Sequence, residues 1–419
     1  MSSVWESSIS ELETDTDDEL EGARQELEDT DFTGPSNFLD GEGLIIGEES
    51  EYFLARNEQA VDREVRNEII EDPRLEAWLE KELGAAMVEV VSPPARVNRL
   101  SAIDESIDRR KQVLKDVASG YGVDVIAAAT HPHLSLNEEI PLSSADDGRY
   151  RDLIDHYAET GATGESENPD MLNPAAPAMS ASLHSNFQAG SLEEAVDMTD
   201  YLLDVEAYTV ALAGNCEAFG DLDTGWNDYR MIPWERSFNT EDDPDKVGLP
   251  DAYYNDRGLL SGMSLVFDPG TDGENAAKDR LDSAVGENWA DARPKFYYSE
   301  DIEKYGLDNP TVVVEARLAS MQDSTEMEAA VHGFRAGALA YRMKNNLPLL
   351  GISNTQQNRE KAMMYGPEAE AYSVIQGDEV VDMKAYEALQ LEIDRAREGL
   401  EYLGVKDDGS YLSLLEERL

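Results

Sequence analysis

Cysteine is almost absent from this 419-residue chain, and the single thiol, Cys216, excludes an internal disulfide and any zinc site built from cysteines. Basic residues are scarce as well. Against 34 Lys and Arg stand 89 Asp and Glu, for a net charge of −55. Such a surface repels nucleic acid phosphates and anionic lipid, which argues against a general DNA, RNA or membrane-surface role. Long apolar runs are missing too: none approaches the ~20 residues of a membrane span, and the amino terminus has neither the basic nor the apolar region of a secretion signal. The expectation is a soluble, cytoplasmic protein.

What the chain does have is a hydrophobic content of 41%, enough for a sizeable core in one large domain or two to three smaller ones. Its acids are spread from end to end rather than gathered in one tail, which fits a surface that stays hydrated in concentrated salt, where the repulsion is screened. A halophile's enzyme is the expectation. Residues 1–39, with the self-repelling run Thr14-Asp15-Thr16-Asp17-Asp18-Glu19, read as a disordered or weakly helical tail.

The most informative stretch is Gly47-Glu48-Glu49-Ser50-Glu51-Tyr52-Phe53-Leu54. In a strand, Glu49 and Glu51 project to one face while Ser50 turns away. Two adjacent carboxylates after Leu44, Ile45 and Ile46 ask for a cation if the strand is half-buried, and are unremarkable on a solvated edge. Hard divalent ions take oxygen ligands, so such a pair can begin two neighbouring sites. A second extended stretch, Ala86-Met87-Val88-Glu89-Val90-Val91, carries a carboxylate inside an apolar run, with Glu82 seven residues earlier where a turn could aim it at the same place. Either an Arg partner or a shared cation would satisfy Glu89.

Further on, Met179 to Gln188 alternates so that His184, Asn186 and Gln188 share a strand face. In Thr311 to Leu318, Glu315 and Arg317 share one, with mutual pairing as the simpler reading. Arg230 lies near Trp226 and Trp234, where it can stack or receive a carboxylate. Thr130-His131-Pro132-His133 ends a short strand predicted over Val123–Ala129; its histidines are weaker metal candidates than satisfied loop residues. A polar helix, interrupted near Pro73, is expected between Arg63 and Leu83, and amphipathic helices at Asp104–Ser119 and Lys384–Leu403. Capping boxes begin further helices at Ser191 and Ser324. Residues 159–177 and 239–292 read as loops, the second strongly acidic. Cys216 lacks a neighbouring His or Lys and is better read as a packed residue than a nucleophile.

The order of these signals resembles the glutamate–cysteine ligase family of type 2, the carboxylate–amine ligases. The markers are G-x-E-x-E-[FY] at Gly47 to Tyr52, Glu82 with Glu89, T-H-P at Thr130, and H-x-[HN] at His184 to Asn186. They continue with A-L-A-x-N at Ala211, T-G-x4-R at Thr224 to Arg230, V-E-x-R at Val314 to Arg317 and N-R-x2-A-x2-Y-G at Asn358 to Gly366. Two positions depart from the family: Asn186 where a second His is usual, and Glu48 where an apolar residue is usual.

The resemblance implies an α+β, glutamine synthetase-like fold with a curved antiparallel sheet backed by helices. A catalytic domain would span residues 40–375, with a helical segment, 376–419, packed on it. It implies ATP and Mg2+, with Mn2+ an alternative, and small-molecule substrates: glutamate and cysteine, or another amine. By analogy Glu49, His184 and Glu315 would hold one ion and Glu51, Glu82 and Glu89 another. Arg317 and Arg230 would face phosphate or a substrate carboxylate, and Asn186 would stand near the nucleotide. The reaction would join the glutamate side-chain carboxylate to an amine through an acyl phosphate. Self-association is left open.

Overall fold

The computed structural model describes residues 44–75, 78–136, 140–143, 175–238, 247–250, 253–254, 289–297, 308–405 and 410–419. The predicted tail at 1–39 lies outside the described residues, as does most of the stretches 159–177 and 239–292.

A nine-stranded antiparallel sheet organises the described residues. Its long central strand is β1 (Ile45–Arg56), followed by α1 (Arg63–Ile70), β2 (Leu79–Lys81), β3 (Met87–Val91) and α2 (Leu100–Gly120). Next come β4 (Leu183–Ala189), α3 (Leu192–Ala213), α4 (Met231–Phe238), β5 (Ala292–Tyr297) and β6 (Thr311–Ala316). The main path runs β5-β6-β4-β1-β3-β2, and the short segments Gln59–Ala60, Ala95–Arg96 and Asp124–Ile126 also pair with β1. Beyond the sheet lie α5 (Thr325–Asn345), α6 (Ile352–Tyr365), the hairpin β7 (Ala371–Gln376) and β8 (Glu379–Lys384), α7 (Ala385–Tyr402) and α8 (Ser410–Glu416). The hairpin straddles the boundary expected at 375.

Alternation along the strands separates two faces. Ile46, Tyr52, Leu183, Phe187, Val312 and Val314 are fully buried in the core that the sheet shares with α3 and α5. Glu49, Glu51, Glu89, His184, Asn186, Lys295 and Glu315 take the other face and line a cavity. The helices begin at the serines the sequence suggested, each serving as an N-cap: Ser191 Oγ accepts from Glu194 N, and Ser324 Oγ from Met327 N. Helices α5 and α7 approach backbone to backbone at Gly337, Ala396 and Gly399, where a Cβ on either glycine would collide with the opposite main chain.

Two local expectations need correction. The helix expected from Arg63 to Leu83 ends at Ile70; past Pro73 the chain turns and returns as β2, because pairing with β3 satisfies its backbone where a proline interrupts the helix. The buried strand expected over Val123–Ala129 shrinks to Asp124–Ile126 and is half-exposed, since it pairs only with the end of β1.

Candidate active site

Registration between strands, rather than spacing along any one of them, assembles the site. Glu49 of β1 sits opposite His184 of β4, Glu51 opposite Glu89 of β3, and Glu315 of β6 opposite Asn186. A one-residue slip of any strand would turn its carboxylate into the core.

His184 stands at the centre. Its Nδ1 is 3.1 Å from Glu49 Oε2, 3.7 Å from Glu315 Oε1 and 3.8 Å from Glu89 Oε2, and its Nε2 is 3.9 Å from Glu51 Oε1. Two groups of three donors result, Glu49–His184–Glu315 and Glu51–Glu89–His184, each with ligand atoms within 4.8 Å of one another. Ser182 braces the second group, its hydroxyl donating to Glu51 Oε2 at 2.7 Å and lying 2.7 Å from His184 Nε2. Glu82 lines the same cavity beside them.

The two halves of this cluster are electrically unlike. In the first, Arg293 Nε donates to Glu315 Oε2 at 2.7 Å, and Lys295 Nζ lies 2.7 Å from Glu315 Oε1 and 3.2 Å from Glu49 Oε1. Burial pushes Glu315 and Glu49 up, but these cations outweigh it: Arg293 and Lys295 hold Glu315 well below the usual carboxylate range, and Lys295 with His184 lowers Glu49. In the second half no Lys or Arg lies within salt-bridge distance of Glu82 or Glu89 among the described residues. Burial, then the charge of Glu49, raises Glu89 well above its normal range. Burial, then Glu51, pushes Glu82 up to about 8. Acids left in this condition are what a bound divalent cation relieves.

Glu82 therefore gives a pH dependence with a defined sign. Its folded-state pKa lies above the ordinary 4.5, so the folded chain holds the proton more tightly than the unfolded one. In EDTA, the Glu82 contribution to stability is full below about pH 4.5 and is lost as pH rises through about 8. Because an ion needs the ionised carboxylate, Mn2+ affinity is expected to climb over the same interval and level off near pH 8. Thermal denaturation in EDTA and Mn2+ titrations across pH 5–9 check both arms, and a Mn2+ affinity indifferent to pH would contradict the assignment.

Arg317 and Arg230 meet at one end of the cavity. Arg230 is buried, and its Nη2 donates to the carbonyls of Arg317 and Leu318 at 3.2 and 2.6 Å. Arg317 Nη1 lies 3.6 Å from Glu315 Oε2, so the simple Glu315–Arg317 pair is looser than those Glu315 makes with Arg293 and Lys295. Arg230 Nε and Arg317 Nη1 are buried donors without a hydrogen-bond acceptor.

Every residue singled out for the site, Glu49, Glu51, Glu82, Glu89, His184, Asn186, Arg230, Glu315 and Arg317, lines this one cavity of about 720 Å3. Sequence reasoning missed Arg293, Lys295 and Ser182. The signal for the first two was Arg293-Pro294-Lys295, basic residues two apart on a short strand, hidden beside an acidic stretch without motifs. Several other motif residues serve the scaffold. Asn358 accepts from Ser373 N and donates to its carbonyl oxygen, Arg359 pairs with Asp291 and Glu235, and Asn215 donates to Met321 O. His131 is fully buried against Phe53, and burial lowers it to about 4. Cys216 is buried outside the cavity lining, donates to Ala218 O, and has its thiol pushed up by burial, as a packed residue would.

A curved antiparallel sheet backed by helices, with paired carboxylates and a histidine on its cavity face, defines a glutamine synthetase-like fold. The chain belongs to glutamate-cysteine ligase family 2 (GCS2), whose sequence pattern matches residues 45–405. Among solved structures it is similar to a bifunctional glutathione synthetase from Pasteurella multocida, at 11% identity and a TM-score of 0.50, covering 91% of this chain. The match takes in 48% of that enzyme, so the chain spans about half of its length. It is also similar to a glutamate–cysteine ligase from Francisella tularensis in complex with AMP, at 12% identity and a TM-score of 0.49, covering 93% of this chain and 82% of that one. No curated protein matches significantly by sequence. Among the described residues, no helix is long and apolar enough to cross a membrane.

Proposed function

We propose that this chain joins the side-chain carboxylate of glutamate to the amine of cysteine, forming γ-glutamylcysteine with ATP as the phosphoryl donor. The observation that carries this reading is the pair of donor groups meeting at His184, next to two arginines with unused donors, in a single cavity. The donor set fits Mg2+ or Mn2+, since it is oxygen-rich, has one imidazole, and includes two acids, Glu82 and Glu89, that burial and neighbouring carboxylates raise and that have no Lys or Arg within salt-bridge distance among the described residues.

In this reading Glu49, His184 and Glu315 hold one ion, and Glu51, Glu82 and Glu89 the other, with His184 bordering the second site as well. Bound there, two divalent ions would neutralise the phosphoryl oxygens that must approach an anionic carboxylate. The protein's own task is positioning. Arg230, anchored on the carbonyls of Arg317 and Leu318, keeps its Nε for an anion, and Arg317 offers Nη1 at the same end. Ser182 fixes the Glu51 carboxylate and the His184 ring together, and Asn186, paired across the sheet with Glu315, would stand beside the first ion. The glutamate carboxylate attacks the γ-phosphorus, ADP leaves, and the acceptor amine then displaces phosphate from the acyl phosphate. No protein nucleophile is required, in keeping with a buried Cys216.

The test is phosphate release by the purified chain in molar KCl, a condition chosen for its net charge of −55, with ATP, Mg2+ and glutamate against a panel of amines. Release that depends on cysteine is the expected result. Release with a different amine keeps the ligase chemistry and replaces the acceptor, and release with none defeats the enzymatic reading.

A further inference from the structure

Lys295 touches the same atoms that the first ion would need. Its Nζ lies 2.7 Å from Glu315 Oε1, 3.2 and 3.4 Å from the two Glu49 oxygens, and 3.4 Å from Asn186 Oδ1. Glu315 Oε1 and Glu49 Oε2 are also the oxygens facing His184 Nδ1, at 3.7 and 3.1 Å. The ammonium is thus seated on the Glu49–His184–Glu315 group, whereas no ammonium or guanidinium lies within salt-bridge distance of Glu51 or Glu89 among the described residues.

A divalent ion bound to those oxygens stands about 2.1 Å from each. An ammonium kept in contact with the same oxygens would then lie within a few ångströms of it, where the repulsion between a single and a double positive charge is severe in a shielded cavity. Room to leave exists: Lys295 lines the cavity, its side chain is 23% exposed, and a lysine's four-carbon stem has rotatable bonds through which the ammonium can swing.

We propose that Lys295 is the built-in counter-ion of the Glu49–His184–Glu315 group, that ammonium and divalent ion are alternative occupants of it, and that ion entry turns the Lys295 amine out into the cavity. The chain thereby offers a mobile cation to an incoming anion only once the first ion is seated. This rests on the two-ion reading above. It also gives the Asn186 departure a role, as a neutral acceptor that steadies the ammonium where an imidazolium would repel it.

The test uses the full chain in molar KCl with Mn2+ alone, titrated calorimetrically and by the paramagnetic signal of the free ion. Lys295→Met keeps the stem and removes the charge. One class of Mn2+ site is expected to tighten by about tenfold or more in this variant, while the other moves by less than about threefold. A second readout needs no substitution. In the wild-type chain, Mn2+ is expected to speed acylation of Lys295 by a small amine-reactive reagent, as read by peptide mass spectrometry. Equal or weaker Mn2+ binding in the variant, or Lys295 acylation that Mn2+ leaves unchanged or slows, overturns this inference and leaves the two-ion reading standing. No Mn2+ binding to either protein overturns both.

Discussion

Substitution of His184 by alanine is expected to lower ATP-dependent phosphate release by about 10^3-fold, the scale of losing a central charge-organising group from a preorganised site. His184 is the one side chain common to both donor groups, and its two ring nitrogens face opposite ways, Nδ1 toward Glu49, Glu89 and Glu315 and Nε2 toward Ser182 and Glu51. Removing it leaves four acids facing one another across a gap. Mn2+ binding should therefore weaken at both sites, not one. Far-ultraviolet circular dichroism should be unchanged, because the strand is held by main-chain pairing on both sides, to β1 and to β6. Activity within a few fold of wild type would remove His184 from the site and the two-ion arrangement with it.

The largest effect on stability is expected behind the sheet, at Arg335. This guanidinium is fully buried and grips Glu206 with two bonds, Nε to Oε1 at 2.7 Å and Nη2 to Oε2 at 2.6 Å. Its Nη1 donates to Leu183 O at 2.8 Å and to Ser185 Oγ at 3.1 Å, the residues flanking His184. Glu206 Oε2 in turn accepts from Leu318 N, next to Arg317. One ion pair therefore ties α3 and α5 to the strand that presents His184 and to the segment just past the end of β6, which presents Glu315. Arg335→Met strands the Glu206 charge without solvent and is expected to cost about 3–5 kcal/mol, seen as a lower denaturant midpoint. Replacing both partners with methionine should recover much of that loss, since no charge is then left buried. Equal losses in the single and double variants would show that packing, not the orphaned charge, dominates.

A second polar group lies on the same buried face. Glu48 Oε1 is 3.7 Å from His332 Nε2, and His332 Nδ1 is 2.6 Å from Ser185 Oγ. Burial, then the charge of Glu328, raises Glu48 well above its usual range, while burial lowers His332. Glu48, the residue that departs from the family's apolar habit, thus turns its carboxylate toward His332, on the opposite side of the strand from Glu49 and Glu51. Strand alternation explains why three acids so close in sequence end in two different environments.

Much of the site could be read from the chain because its information is local. E-x-E fixes two carboxylates on one face of a strand, a lone glutamate in M-V-E-V-V marks an acid that needs a partner, and V-E-x-R marks a third strand of the same kind. The helix caps at Ser191 and Ser324 were legible for the same reason, since a cap and its N–H partner lie three residues apart. The β2 segment was misread as helix because its fate depends on β3, a strand not yet formed when only Arg63 to Leu83 is considered. Arg293 and Lys295 escaped notice because their importance appears only when β5 pairs with β6 and lays them beside Glu315.

By itself, the sequence determined the residue types, the faces they would take and the excess of negative charge, all consequences of side-chain chemistry and a two-residue repeat. Only the tertiary structure decided which acids are neutralised from within and which are left waiting for a cation. Electrostatic compensation acts through space: Lys295 reaches Glu49 across 246 positions of chain, and nothing short of the folded sheet brings that ammonium to that carboxylate.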